Sequence, residues 1–215
     1  MGEKRGVIVG DIQGDFTEWK QGSLAVPDSG HEYIKKAAEA TKVLHNAGLP
    51  IFGVQDWHPD DHISFYTNHP GTEPFETIEI DGRTQVLWPP HCVQGTENAR
   101  ILVDNNLFLA VVQKGRDKRY DSYSAFQDDG GHKTEMEAIL RRNKIEQIVL
   151  YGIATDYCVR ATTALDAIRA GLRVIVIQEL CRGVAPDTSQ DALKAMEGAG
   201  AIIFEQFDID KIKGL

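Results

Sequence analysis

Short runs of apolar, β-branched residues recur along this chain, separated by segments with helical spacing. Residues 6–10, Gly-Val-Ile-Val-Gly, are too few for a helix and lack polar alternation. They read as a strand buried on both faces and ending at Asp11. Residues 12–30 are polar and Gly-rich and read as a loop. Residues 31–47 carry Ile34, Ala37, Ala38, Thr41 and Leu44 at helical spacing, with Gly48 as the stop. Residues 51–54 form a second strand. The rhythm then breaks from residue 57 to about residue 106, where Pro, Gly and His are frequent and a small hairpin is expected at Asp81-Gly82. A loop this long inside a compact domain points to function.

The rhythm resumes with a strand over 107–112 that closes at Lys114. A helix follows over 134–143, with Met136, Ile139 and Leu140 on one side, and then a strand over 148–153. The next helix, 158–170, buries Ala161, Ala164, Leu165 and Ile168 and is stopped by Gly171. A strand over 174–177 precedes a helix over 189–198, whose apolar side is Ala192, Leu193 and Met196. Thr188 and Asp191 suit a capping box there. A last strand covers 201–204. Continuous apolar strands alternating with helices predict an α/β fold, a three-layer α/β/α arrangement around a six-stranded, mostly parallel sheet. In such sheets the ligand crevice lies beyond the carboxyl ends of the strands. Asp11, Asp56, Lys114 and the turn 154–158 all follow strands at that edge.

The chain has 215 residues, of which 42% are hydrophobic, and it is expected to be one domain over 1–215. No apolar run approaches the length of a membrane span, and the N-terminus shows no secretory signal pattern. With 23 basic against 32 acidic residues the formal net charge is −9, which argues against nucleic acid as a partner. The three cysteines form no CxxC pair and suggest no disulfide framework, so a cytoplasmic setting is expected. Oligomeric state, including a homo-oligomer, stays open.

Cys158 sits between a buried strand and an amphipathic helix. There it is either a small buried hydrophobe or a nucleophile whose thiolate is favoured by the helix N-terminus. Asp11 either caps its loop or acts as a general base. Lys114 is either exposed or a fixed cation beside the other two. Asp56 and His58 lie two apart in extended backbone and so face the same way. With His62 and His91 they offer donors for zinc, iron(II) or manganese(II), although D-x-H alone is a weak motif. Cys92 is a weak ligand candidate and Cys181 a structural residue. Asp15 reads as exposed or capping, and His69 and His132 as ordinary surface residues.

Seven stretches, in order along nearly the whole chain, resemble the nicotinamidases within the isochorismatase-like cysteine hydrolase family. They are G-D-I-Q-G-D-F from Gly10, Q-D-W-H-P from Gln55, H-I-S-F from His62, W-P-P-H-C-V from Trp88, Q-K-G from Gln113, D-S-Y-S-A-F from Asp121 and G-I-A-T-D-Y-C-V from Gly152. The resemblance implies an isochorismatase-like fold whose long loop carries a metal. It implies a catalytic triad of Asp11, Lys114 and Cys158, and an oxyanion hole from the N–H groups of Ala154 and Cys158, preceded by a cis Ile153–Ala154 peptide. It implies one divalent ion on Asp56, His58 and His91, with Zn2+ expected ahead of Fe2+ or Mn2+, and His62 behind these or linked through water. Phe16, Leu24, Trp88, Tyr123 and Tyr157 match the family's aromatic pocket. The implied activity is hydrolysis of nicotinamide, and of pyrazinamide, through a cysteine thioester, with the ion positioning the pyridine ring. One departure is Gly10 before Asp11, where the family often has Val. Three rivals stand beside this reading: a relative such as an isochorismatase or a ureidoacrylate or carbamoyl amidohydrolase without the full metal set, a non-catalytic binding module, and a redox thiol protein built on Cys158.

Overall fold

The computed structural model describes residues 4–214, the side chains of residues 160–162 excepted. Along the chain come β1 (Arg5–Gly10), α1 (His31–Asn46), β2 (Ile51–Asp56), β3 (Thr77–Ile80), β4 (Arg83–Val86) and β5 (Phe108–Lys114). Then follow α2 (Met136–Arg142), β6 (Gln147–Gly152), α3 (Leu165–Arg169), β7 (Arg173–Ile177), α4 (Pro186–Gly198), β8 (Ile202–Phe204) and α5 (Ile209–Lys213). Six of the strands form one sheet in the order β5-β2-β1-β6-β7-β8, and every pairing in it is parallel. The hairpin expected at Asp81-Gly82 is present as β3 and β4, antiparallel and separate from that sheet.

The apolar runs explain the sheet. Val7, Ile8 and Val9 of β1, Ile148 to Tyr151 of β6 and Val174 to Ile177 of β7 are all buried. Each such side chain contributes roughly 1.5–3 kcal/mol by leaving water. Covering both faces of a strand requires helices on both sides of the sheet, which the crossovers supply. The right-handed sense of parallel connections places α1 on one face and α3 and α4 on the other. Helix α1 buries Tyr33, Ile34, Ala37, Ala40, Thr41 and Leu44. Thr41 Oγ1 lies 2.7 Å from the Tyr151 hydroxyl, so two polar groups caught between helix and sheet satisfy one another.

Two helix starts differ from the expectation. The segment after β6 is already helical at Thr155 and runs to Ala164 with the wide π spacing before α3 begins. Val159 N–H donates to Ala154 O at 2.9 Å, five residues back. Cys158 therefore lies inside this first turn. Ala164 and Ala167 are buried, whereas Leu165 and Ile168 are half-buried, and Ala161 lies outside the described side chains. Helix α4 begins at Pro186, not at residue 189, with Pro at the first helical position. Thr188 is thus within the helix and no capping box forms with Asp191. The Asp156 carboxylate caps instead, accepting from the N–H groups of Val184 (3.0 Å) and Ala185 (3.2 Å) and from the Thr188 hydroxyl. A cap supplied across the fold leaves no local signature in the sequence.

The strand order reverses between β1 and β6, and there the two strands approach closely at their ends. Gly10 pairs with Gly152, whose φ is +142°, and a Cβ on Gly152 would fall into the Gly10 carbonyl. Gly152→Ala is expected to lower stability by about 2–3 kcal/mol in urea unfolding. Gly198→Ala, in open space on α4, is expected to raise it by roughly 0.5–1 kcal/mol.

Candidate active site and metal centre

Parallel pairing brings the strand ends to one edge of the sheet. Asp56 and Lys114 are cross-strand partners at the ends of β2 and β5, and Asp11 follows β1 directly. The turn carrying Cys158 follows β6. These four residues, far apart in sequence, meet around the Lys114 ammonium. Lys114 is only 2% exposed, not the surface lysine that its local sequence allowed. Its Nζ donates to Asp56 Oδ1 and, at 2.8 Å, to Ser122 O. It lies 3.4 Å from Asp11 Oδ2 and 3.6 Å from Cys158 Sγ.

One ammonium cannot fully compensate two buried carboxylates. Burial opposes ionisation of Asp56, but Lys114 and then His58 outweigh it and hold that carboxyl well below its usual range. Asp11 is left the poorer partner: burial, reinforced by the Asp56 charge and only partly offset by Lys114, pushes it up to about 7. Its Oδ1 is buried and finds no hydrogen-bond partner among the described residues. Burial also raises the Cys158 thiol well above its usual value despite Lys114. The thiolate expected from the helix N-terminus is therefore not the resting form, and the thiol needs a base beside it. The Ile153–Ala154 peptide is cis, and the Ala154 N–H takes no acceptor among the described residues.

Asp56 turns its other oxygen to two histidines. Oδ2 lies 3.5 Å from His58 Nε2 and 3.9 Å from His91 Nε2, and the three potential ligand atoms lie within 4.8 Å of one another. The far ring nitrogens are tied back. Nδ1 of His58 lies 3.1 Å from Gly115 O and Nδ1 of His91 lies 2.8 Å from Pro89 O. A proton on each Nδ1 leaves both Nε2 lone pairs facing Asp56. His58 Nε2 is buried without a hydrogen-bond partner among the described residues, an unmet acceptor that a divalent cation would satisfy. Burial and then the neighbouring His58 lower His91 to about 4, so it stays neutral and able to coordinate. His58 titrates upward: burial opposes its charge, but Asp56 outweighs it. A bound cation would take the place of that proton.

The loop that brings His91 beside His58 is pinned by backbone bonds. His58 N–H donates to Cys92 O at 3.0 Å, and Gln94 N–H returns to His58 O at 2.9 Å. Two side chains without an assigned role in the sequence complete the support. Gln13, fully buried, accepts from Asp56 N–H through Oε1 and donates through Nε2 to Asp56 O, both at 2.8 Å. Asp15 is buried rather than exposed: its carboxylate accepts from Cys92 N–H at 2.7 Å and from Asn98 Nδ2 at 3.2 Å. Both sit in the G-D-I-Q-G-D-F stretch, the one signal that could have flagged them.

The remaining candidates separate cleanly. The His62 ring lies tilted 4.3 Å from the His58 ring, with Nδ1 2.8 Å from Ser64 Oγ and Nε2 3.2 Å from Tyr120 O, so it backs the triad and does not join it. Cys92 is buried and outside the triad, and burial raises its thiol well above the usual value. Cys181 is buried against Ile177 O. His69 is half-buried, donating from Nε2 to Ile63 O at 2.7 Å, while His132 is exposed beside Asp128.

A cavity of about 190 Å³ opens onto both centres, with Asp56, His91, Ala154 and Cys158 in its wall. Phe16, Leu24, Trp88, Tyr123 and Tyr157 all line it, and Phe75, Asp121 and Val184 join them. The Trp88 ring meets Tyr157 edge-on at 5.5 Å and Tyr123 at 6.4 Å. Such walls suit a flat aromatic ligand.

The isochorismatase domain model matches residues 5–206. The chain belongs to the isochorismatase family. It is 38% identical to the nicotinamidase of Escherichia coli (strain K12), over 98% of this chain and 99% of that protein. The solved nicotinamidase/pyrazinamidase of Acinetobacter baumanii superposes with a TM-score of 0.84 at 36% identity, covering 95% of this chain and 97% of the other. The pyrazinamidase of Pyrococcus horikoshii, solved in complex with zinc, gives 0.79 at 34% identity over 95% and 99%. The chain is therefore a hydrolase of this family, closely related to nicotinamidases. Among the described residues no helix is long and apolar enough to cross a membrane.

Gly115 tests the support of the metal triad. Its φ is +66°, its carbonyl faces His58 Nδ1, and a Cβ there would overlap the imidazole at Cε1 and Nδ1. Gly115→Ala is expected to displace His58 and lower bound metal by about tenfold, the scale of a lost outer-shell partner. Metal content after equilibrium dialysis measures this, with far-UV circular dichroism unchanged.

Proposed function

We propose that this protein is a nicotinamidase, releasing nicotinate and ammonia from nicotinamide and also accepting pyrazinamide. One observation carries the reading: a single aromatic-walled cavity is lined by the buried Cys158 thiol and by Asp56 and His91 of the metal triad, and Asp11, near neutrality, sits beside the same Lys114 ammonium as that thiol. The relatives and solved structures of that activity support it. On this reading the whole chain works as one hydrolase domain in the cytoplasm, in the salvage of NAD. A small-molecule carboxamide is its partner.

Asp11 takes the proton of the Cys158 thiol, and the sulfur attacks the amide carbon. A base near pH 7 is well matched to that transfer. The N–H groups of Ala154 and Cys158 hold the developing oxyanion. Lys114 stays charged throughout and offsets negative charge as it passes between carboxylate and sulfur. Protonated Asp11 then gives its proton to the departing nitrogen, so ammonia leaves and a thioester remains. Asp11 next draws a proton from water, which attacks the thioester carbon, and the thiol is restored as nicotinate departs. Asp56, His58 and His91 would hold the divalent ion, with Zn2+ expected from the donor set. When bound, the ion supplies a Lewis-acid contact for the pyridine nitrogen and so fixes the ring. Trp88, Tyr123, Tyr157, Phe16 and Leu24 enclose that ring.

Cys158→Ala is expected to lower ammonia release from nicotinamide by at least 1,000-fold with metal content unchanged, and Asp11→Asn to be nearly as damaging. Turnover near the wild-type rate in either variant would sink the triad. Benzamide lacks the ring nitrogen and is expected to be a poor substrate, little affected by chelation, while nicotinamide should lose most of its advantage when the metal is removed. Equal use of both amides, insensitive to chelation, would instead indicate a metal-independent amidohydrolase.

A further inference from the structure

Asp121 stands in the wall of the aromatic cavity, 3% exposed, and neither the triad nor the metal centre uses it. Its Oδ2 accepts from Trp88 Nε1 and from Gln85 Nε2, each at 3.2 Å, and its Oδ1 accepts from Ser122 N–H at 2.8 Å. The Trp88 indole proton is shared with the Tyr123 hydroxyl at 3.1 Å. The Trp88 backbone is already fixed, because its N–H donates to Ser64 O at 2.6 Å and its carbonyl accepts from Tyr66 N–H at 3.0 Å. What remains free is rotation of the indole about its side-chain bonds, and the bond to Asp121 removes that freedom. Gln85 lies on β4, so the same carboxylate also ties the hairpin to the pocket wall.

We propose that Asp121 is a positioning residue that sets the angle of the Trp88 indole against the bound ring, and that its carboxylate is required for the task. Three N–H donors converge on its two oxygens. A carboxylate accepts from all of them. An amide must turn its NH2 either toward the Ser122 N–H or toward Trp88 and Gln85, leaving donor against donor in a buried place. D121N is nearly the same size, so this mismatch, not a change of volume, is what the substitution introduces. The consequence for ring binding rests on the nicotinamidase reading; the hold on the indole does not.

The test uses the full chain with 15N-labelled tryptophan. Three indole resonances are expected for the three tryptophans, and the W88F variant identifies that of Trp88. In D121N the Trp88 indole resonance should shift and its hydrogen exchange should quicken at least tenfold, with those of Trp19 and Trp57 unmoved. The KM for nicotinamide should rise three- to tenfold with kcat within twofold. In the W88F background, D121N should change KM by less than twofold, because the indole donor is already gone. An unmoved Trp88 resonance overturns the proposal, as does a KM effect equally large without the indole, or a loss carried by kcat. Gln85→Met keeps Asp121 and removes a competing donor, and should move the Trp88 resonance downfield. An unchanged resonance there overturns the proposal even if D121N does not fold. Should wild type fail to hydrolyse nicotinamide, the functional reading falls, and the indole measurements still decide the role of Asp121.

Discussion

The Lys114 ammonium is buried at the sheet edge, and the fold cannot leave it unpaired. Removing an ion from water costs several kcal/mol, which only close, well-aligned counter-charges offset. Asp56 and Asp11 both supply that charge, from β2 and from the end of β1, so the ends of the three strands beside Lys114 are drawn into one polar cluster. The match is uneven. Asp56 makes the closer contact and stays ionised, while Asp11 is left near neutrality next to a thiol that burial has made reluctant to ionise. Two carboxylates thus acquire different chemistry from position alone, the pattern expected where one must shuttle a proton and the other must stay charged.

Asp56 also joins the two halves of the site. One of its oxygens faces the ammonium and the other faces His58 and His91. Its own backbone is clamped by Gln13, so it serves both from a fixed position. The long excursion between β2 and β5 is held to the sheet edge by this same chemistry. Short backbone bridges, His58 with Val93 and Phe65 with Trp88, zip the loop into register where regular strands are lacking. The excursion delivers a metal ligand at residue 91 and an aromatic wall at residue 88, and both depend on those few bonds.

The rival readings fare differently under these constraints. A relative without the metal set is disfavoured by His58 Nε2, which faces inward without a hydrogen-bond partner among the described residues, since an unmet acceptor is costly to bury for no purpose. A redox thiol calls for an accessible, acidic cysteine, whereas burial pushes all three thiols upward. A binding module that had abandoned catalysis would have no need of a thiol that opens on the cavity while packed beside a buried ammonium and a carboxyl near neutrality.

The amino-acid sequence by itself determined the layered α/β plan and the edge where chemistry gathers. Runs such as Val7-Ile8-Val9 and Val174-Ile175-Val176-Ile177 are stable only as strands covered on both faces, and the chemically loaded residues come directly after such runs. Recognition of whole motifs added the pocket and the metal ligands. Only the tertiary structure decided which side chains hold these groups in place. Asp15 reaches Cys92 across 77 positions, Gln13 reaches Asp56 across 43, and Asp121 reaches Trp88 across 33. It likewise decided that Asp156 caps α4 from 28 positions away and that Asp11, not Asp56, sits near neutrality. Local periodicity reports which face of an element is buried. Hydrogen bonds and charge balance depend on distances between elements, and those exist only once the chain has folded.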